Sequence, residues 1–102
     1  MSIYIIKLIS GIELITEASL QNENVDILDQ TLHLDRPLRF GNAGNNSEGR
    51  PQIGFFPYLI SEPEPDRVKL NGKMIESYLV ESEIDEPLVK EYKQRTSRIQ
   101  LI

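Results

Sequence analysis

The chain contains no cysteine. A disulfide framework, a thiol nucleophile and a thiolate metal site are therefore excluded. The absence fits a reducing compartment. Histidine is nearly absent too, His33 being the only one. It lies on the polar side of an alternating stretch, with no cysteine or second histidine to complete a zinc-type ligand set. A Ser–His–Asp arrangement cannot be argued from it, and it reads as a surface side chain. No apolar run approaches the roughly 20 residues that a membrane helix needs. The opening MSIYIIKLIS lacks a basic n-region and a small-residue cleavage site, so it does not read as a signal peptide.

Positive charge is also short. Eleven Lys and Arg face sixteen Asp and Glu, for a net charge of −5. That balance argues against broad electrostatic binding to nucleic acid, which relies on clustered cations neutralising phosphates. It leaves room for a local basic patch. No glycine-rich loop leads into a helix with a Lys-Ser/Thr pair, so no phosphate cradle is supported. The acids cluster at Glu62, Glu64 and Asp66 and again at Glu81, Glu83, Asp85 and Glu86, without the spacing of a calcium loop. They read as solvated faces and helix caps. The expectation is a soluble cytoplasmic protein with no catalytic residue, metal, cofactor or membrane contact.

What is present is β-type patterning on a chain of 102 residues, the length of one domain. Residues 3–9 (IYIIKLI) are apolar and β-branched. After Ser10-Gly11 the chain alternates, with Ile12, Leu14, Thr16, Ala18 and Leu20 on one face and Glu13, Ile15, Glu17 and Ser19 on the other. That period of two predicts a half-buried strand over 12–20, joined to the first by a tight glycine reversal. Residues 21–30 are either a long hairpin loop or a short extra strand. Residues 31–36 alternate again, with Leu32 and Leu34 on one face. Pro37 is expected to end that ladder or to lie on an edge, with Leu38 and Phe40 as candidates to extend it. Residues 41–52 (GNAGNNSEGRPQ) hold no large apolar side chain and are expected to form a mobile loop. The run 53–60 (IGFFPYLI) is the most apolar of the chain, and Pro57 within it marks an edge strand. Glu62 to Asp66 is a stiff acidic link. Asn71-Gly72 is a strong turn signal between Val68-Leu70 and a last strand over 73–81. Asp85, Glu86 and Pro87 open a helix over about 86–97, with Leu88, Val89 and Tyr92 on one face. Glu86 with Lys90, and Glu91 with Arg95, are spaced for ion pairs. Ile99, Leu101 and Ile102 form an apolar tail.

Short strands, a turn glycine after the first, a variable loop after the third and a glycine turn before the last resemble the Sm-like family. The run FFPYLI and its acidic proline link look most like the Sm-like proteins of tailed marine phages. The resemblance covers about residues 3–81 and implies a mainly β fold, a small, strongly bent five-stranded barrel. The C-terminal helix is a departure, since the family typically carries its helix at the N-terminus. Counted from Gly11 without gaps, the family's first-motif aspartate falls on Asn22, its Met on Val25, its Asn on Asp26 and its aromatic on Gln21. Its second-motif Arg-Gly step falls on Asn71-Gly72, flanked by Lys69 and Lys73. The resemblance thus implies RNA-binding positions at Asn22, Asp26, Lys69, Asn71, Gly72 and Lys73, without the aromatic platform and the arginine.

The resemblance also implies a homo-oligomeric ring, joined through the edges of the last two strands. The apolar edge run supports that independently, because a domain this small buries it poorly alone. The expected interface residues are Phe55, Phe56, Tyr58, Ile60, Tyr78 and Val80. Lys90, Lys93, Arg95 and Arg98 give the helix a basic stripe that a ring would repeat around its rim. Two function classes follow. One is a ring that binds single-stranded RNA. The other is a structural ring that binds a protein partner and has lost RNA recognition.

Overall fold

The structure is a computed structural model that describes residues 2–58 and 67–96. Among the described residues there are six strands and one α-helix: β1 (Ser2–Leu8), β2 (Glu13–Leu20), β3 (Thr31–Asn45), β4 (Pro51–Pro57), β5 (Arg67–Asn71), β6 (Ile75–Val80) and α1 (Glu86–Thr96). They form one antiparallel sheet in the order β4-β3-β2-β1-β6, with β5 also paired to β3. The sheet is mainly β as expected, but it has six strands rather than five and is not closed. The reason lies in β3. Its first part, Thr31–Asp35, takes β5 as neighbour, and its second part, from Leu38 on, takes β4. The run 53–60 and the Val68–Leu70 segment, read as separate stretches in the sequence, thus pair with different parts of one long strand.

The change of neighbour occurs at Arg36-Pro37. Between Ile15↔Leu38 and Glu17↔Asp35 the β2–β3 register slips by one, so β3 carries an extra residue there. Arg36 sits at φ 51, the left-handed region that a bulge uses. Pro37 has no N–H to donate, and it lies where neither β5 nor β4 claims one. The strand therefore continues through the proline instead of ending at it, and bends.

The β1–β2 reversal follows its glycine. Gly11 has φ +95, Gly11 N–H donates to Leu8 O at 2.9 Å, and Leu8 N–H donates to Ile12 O at 2.8 Å. The glycine- and asparagine-rich stretch 41–52 is not the expected loop. Strand pairing extends to Asn45 and resumes at Pro51, leaving a turn over 46–50. Backbone pairing needs no large side chain, and Asn46 builds the turn by itself. Its Oδ1 accepts from Glu48 N–H at 2.9 Å and Arg50 N–H at 3.0 Å, while its own N–H donates to Arg50 O at 2.8 Å. Residues 21–30 form turns and a short 3₁₀ segment, Ile27–Asp29. Asn71-Gly72 does not make a hairpin either. A 3₁₀ turn over Gly72–Met74 carries the chain from β5, paired with β3, to β6, paired with β1.

Two cores result. One face of the sheet buries Ile6, Leu8, Leu14, Ala18, Leu32, Leu34, Leu70 and Ile75, with Ile27 from the 3₁₀ segment. The other buries Ile3 and Ile15 beneath Ile84, Val89 and Tyr92. β2 is therefore buried on both faces at its centre, where alternation alone predicted one. The second cover is α1, which begins and ends close to the expected bounds and presents Val89 and Tyr92 to the sheet. Glu91 and Arg95 pair at 2.9 Å, whereas Glu86 and Lys90 are not among the ion pairs of the described residues. The acidic link 62–66 and the tail after Thr96 lie outside the described residues.

Candidate nucleic-acid interface

The segment 21–30 is organised by its own polar side chains. Asn22 Oδ1 accepts from Asn24 N–H at 2.9 Å, and Asp26 Oδ1 accepts from Leu28 N–H at 2.8 Å, capping the 3₁₀ segment. Gln30 closes the segment. Its Nε2 donates to Asn22 O at 2.8 Å and Val25 O at 2.9 Å, and its Oε1 accepts from Asn22 N–H at 3.1 Å. The turn after β5 docks on this segment. Gly72 N–H donates to Gln30 O at 2.9 Å. Gly72 is buried, and a side chain on it would run into the carbonyls of Ile27 and Gln30. Asn71 Oδ1 caps the turn by accepting from Lys73 N–H at 2.9 Å, and Lys73 Nζ bonds Asp29 Oδ1 at 2.6 Å. That bond holds the Lys73 pKa above its ordinary value of 10.5, chiefly through the Asp29 hydrogen bond and charge.

Asn22, Asp26, Asn71, Gly72 and Lys73 thus belong to one polar turn cluster, linked through Gln30 and Asp29. Most of them have intramolecular work. The Asp26 carboxylate and the Asn71 carbonyl cap turns, and Lys73 is paired. Lys69 stands apart on β5, exposed and opposite His33 in the ladder, with no ion pair among the described residues. Gln21, at the family's aromatic position, places its Nε2 3.1 Å from His33 Nε2.

The expected interface residues are dispersed. Phe55 is partly buried at the rim of the second core, edge-on to Phe40 at 6.0 Å, with Arg95 4.9 Å above its ring. Tyr58 packs against the first core. Phe56 lies beneath Arg39 at 5.4 Å. Tyr78 is 39% exposed on β6, tilted against Tyr4 at 6.4 Å, and Val80 is partly buried opposite Tyr4. Ile60 lies outside the described residues. Sequence reasoning missed Leu79, 41% exposed beside Tyr78, and the exposed Met74 and Ile9, which meet each other at the other end of the β1–β6 pair. Consecutive apolar residues that point to both faces of a last strand were the available signal.

Lys90 and Lys93 line a shallow concavity with Glu81, Ile84, Glu86 and Val89, so the helix stripe mixes both signs. Arg95 is engaged by Glu91, and Arg98 lies outside the described residues. Among the described residues no group of three or more His, Asp or Glu is placed to hold a metal ion. No described helix is long and apolar enough to cross a membrane. No protein-family model matches the chain, and no curated protein matches it in sequence.

Proposed function

We propose that the chain is a ring-forming Sm-like protein that binds single-stranded RNA weakly, through charge at the turn cluster. One observation carries the ring: among the described residues β4 and β6 are the opposite ends of the sheet path, each paired along one side only. Pairing of two different edges is a heterologous contact, which propagates head to tail and closes when the rotation permits. β6 also exposes Tyr78 and Leu79, side chains that edge strands left in water avoid. Light scattering at micromolar concentration should report several subunits, and Tyr78→Glu with Leu79→Glu should yield a folded species of lower mass. A wild-type chain that is strictly monomeric overturns the ring. Phe55→Asp tests it less cleanly, because Phe55 also packs within the protomer.

For RNA, Lys69 and Lys73 supply the charge, and Asn22 and Asn71 supply amide groups for hydrogen bonds. Binding should fall steeply with salt. Lys73→Ala should weaken all sequences alike and lower the salt slope by about 0.7 for each phosphate no longer neutralised. A protein-binding ring without RNA affinity is the second reading. It is favoured by the capping roles of Asp26 and Asn71 and by the Lys73–Asp29 pair. Titration with single-stranded RNA at two salt concentrations separates the two. An intact ring with no binding even at low salt decides for the protein partner.

A further inference from the structure

We infer that the β3–β4 hairpin carries a second contact for single-stranded RNA, a stacking platform for an unpaired nucleobase made by Arg39 and Phe56 beside Gly41 and Gly54. The inference rests on the RNA-binding reading but uses residues remote in sequence from the turn cluster. Its starting point is the register. Arg39 faces Phe56 across the ladder, and Gly41 faces Gly54 two residues further along each strand. Residues two apart share a face, so all four lie on one side of the hairpin. The Arg39 guanidinium sits 5.4 Å from the Phe56 ring centroid, and its side chain is exposed. Among the described residues it has no carboxylate partner. The nearest atom to a Cβ at Gly41 would be Phe56 Cε2 at 4.0 Å, so the ring leans toward the bare backbone of the glycine pair.

The guanidinium over the ring and the bare backbone of Gly41 form one patch on this side of the hairpin. Gly41, where a Cβ would meet nothing closer than Phe56 Cε2 at 4.0 Å, lets a planar ligand approach the backbone, and the guanidinium and phenyl groups offer it a π surface. Unpaired bases are held by stacking on aromatic rings and arginine planes, and the same arginine attracts the adjoining phosphate. Arg39, with no carboxylate partner among the described residues, therefore favours an anionic planar ligand over an apolar peptide side chain. Tyr58 packs against the first core on the same face of the sheet, continuing the apolar surface inward from Phe56.

The test is fluorescence anisotropy with a labelled oligouridylate, an oligoadenylate and an abasic oligoribose phosphate of equal length. Phe56→Leu and Arg39→Gln should each weaken binding to the base-bearing oligomers by about 10-fold. Phe56→Leu should leave the abasic oligomer unaffected. Lys73→Ala should weaken all three alike. Light scattering establishes that the variants keep the wild-type mass. If Phe56→Leu changes it, Gly41→Val decides, since its branched side chain covers the bare backbone beside the ring while Phe56 itself is kept, and it should reproduce the base-dependent loss. Wild-type affinity in Gly41→Val and Arg39→Gln overturns the platform alone. A wild-type protein that binds neither base-bearing oligomer overturns the RNA reading with it.

Discussion

Tyr92→Ala should be the most damaging substitution in the helix, costing about 3–5 kcal/mol of unfolding free energy. Tyr92 is fully buried and its ring fills the second core. The hydroxyl does a separate job. The bulge at Arg36-Pro37 takes backbone groups out of the β2–β3 ladder, and Tyr92 Oη reaches in to replace the missing partners. It accepts from Glu17 N–H at 2.9 Å and shares its hydrogen between Asp35 O at 3.1 Å and Arg36 O at 3.0 Å. Thr16 Oγ1 donates to the same Asp35 carbonyl at 3.2 Å and to Glu17 O at 2.8 Å. Arg36 answers from the other side, donating from Nη1 to Thr96 O at 2.9 Å and so capping the last turn of α1. Helix and bulge thus complete one another's hydrogen bonds. Tyr92→Phe keeps the ring and leaves buried backbone groups unpaired, so it should still cost about 1–3 kcal/mol. Urea denaturation measures both. A Tyr92→Phe variant as stable as wild type would mean that the hydroxyl contributes nothing.

The same site gives a pH dependence. Burial, the largest cause, raises the Tyr92 pKa from 10.0 to about 12. The folded protein therefore holds the phenol proton more tightly than the unfolded chain does. The associated stability is fully present below pH 10 and is lost as pH rises from about 10 to 12. Melting temperature should decline over that window in wild type and decline less in Tyr92→Phe.

The sequence made the local elements legible where one residue decides the geometry. Gly11 identified the β1–β2 reversal, and Asp85, Glu86 and Pro87 identified the start of the helix. The misreadings share a cause, which is a partner distant along the chain. Ile15 looked solvent-facing because alternation cannot show that α1, about seventy residues later, covers it. Pro37 left open whether the strand ends or runs on along an edge, because nothing local shows that the lateral neighbour changes there. Residues 41–52 looked unstructured because a composition argument counts side chains, whereas this stretch is held by backbone pairing and by Asn46. For the turn cluster, the resemblance nominated Asn22, Asp26, Asn71, Gly72 and Lys73 from two separate segments, and the fold puts them together. That most of their polar atoms are occupied by capping was not legible, because it depends on Gln30 and Asp29, which no motif singled out.

Gly72→Ala should cost about 3 kcal/mol or more, a large effect for a single methyl group. The position is not explained by a left-handed backbone, since Gly72 is absent from the glycines with positive φ. Its constraint is space. The turn over Gly72–Met74 lies against the 3₁₀ segment so closely that an added Cβ meets the carbonyls of Ile27 and Gln30 and the backbone of Leu28. These are main-chain atoms inside a hydrogen-bonded turn, and they cannot rotate aside as a flexible side chain would. Relief requires the two turns to separate. Separation breaks Gly72 N–H to Gln30 O and the Lys73–Asp29 pair, and it loosens Leu70 and Ile27 in the first core. Gly41→Ala is the control, because its Cβ meets only Phe56 Cε2 at 4.0 Å and should shift stability by no more than about 0.5 kcal/mol. Urea melts of the two variants, run where light scattering gives equal masses, should differ accordingly. Equal stability would show that the two turns can part at little cost. If the cluster also grips RNA, Gly72→Ala should lower affinity at temperatures where the variant is still folded, because it displaces Asn71 and Lys73 together.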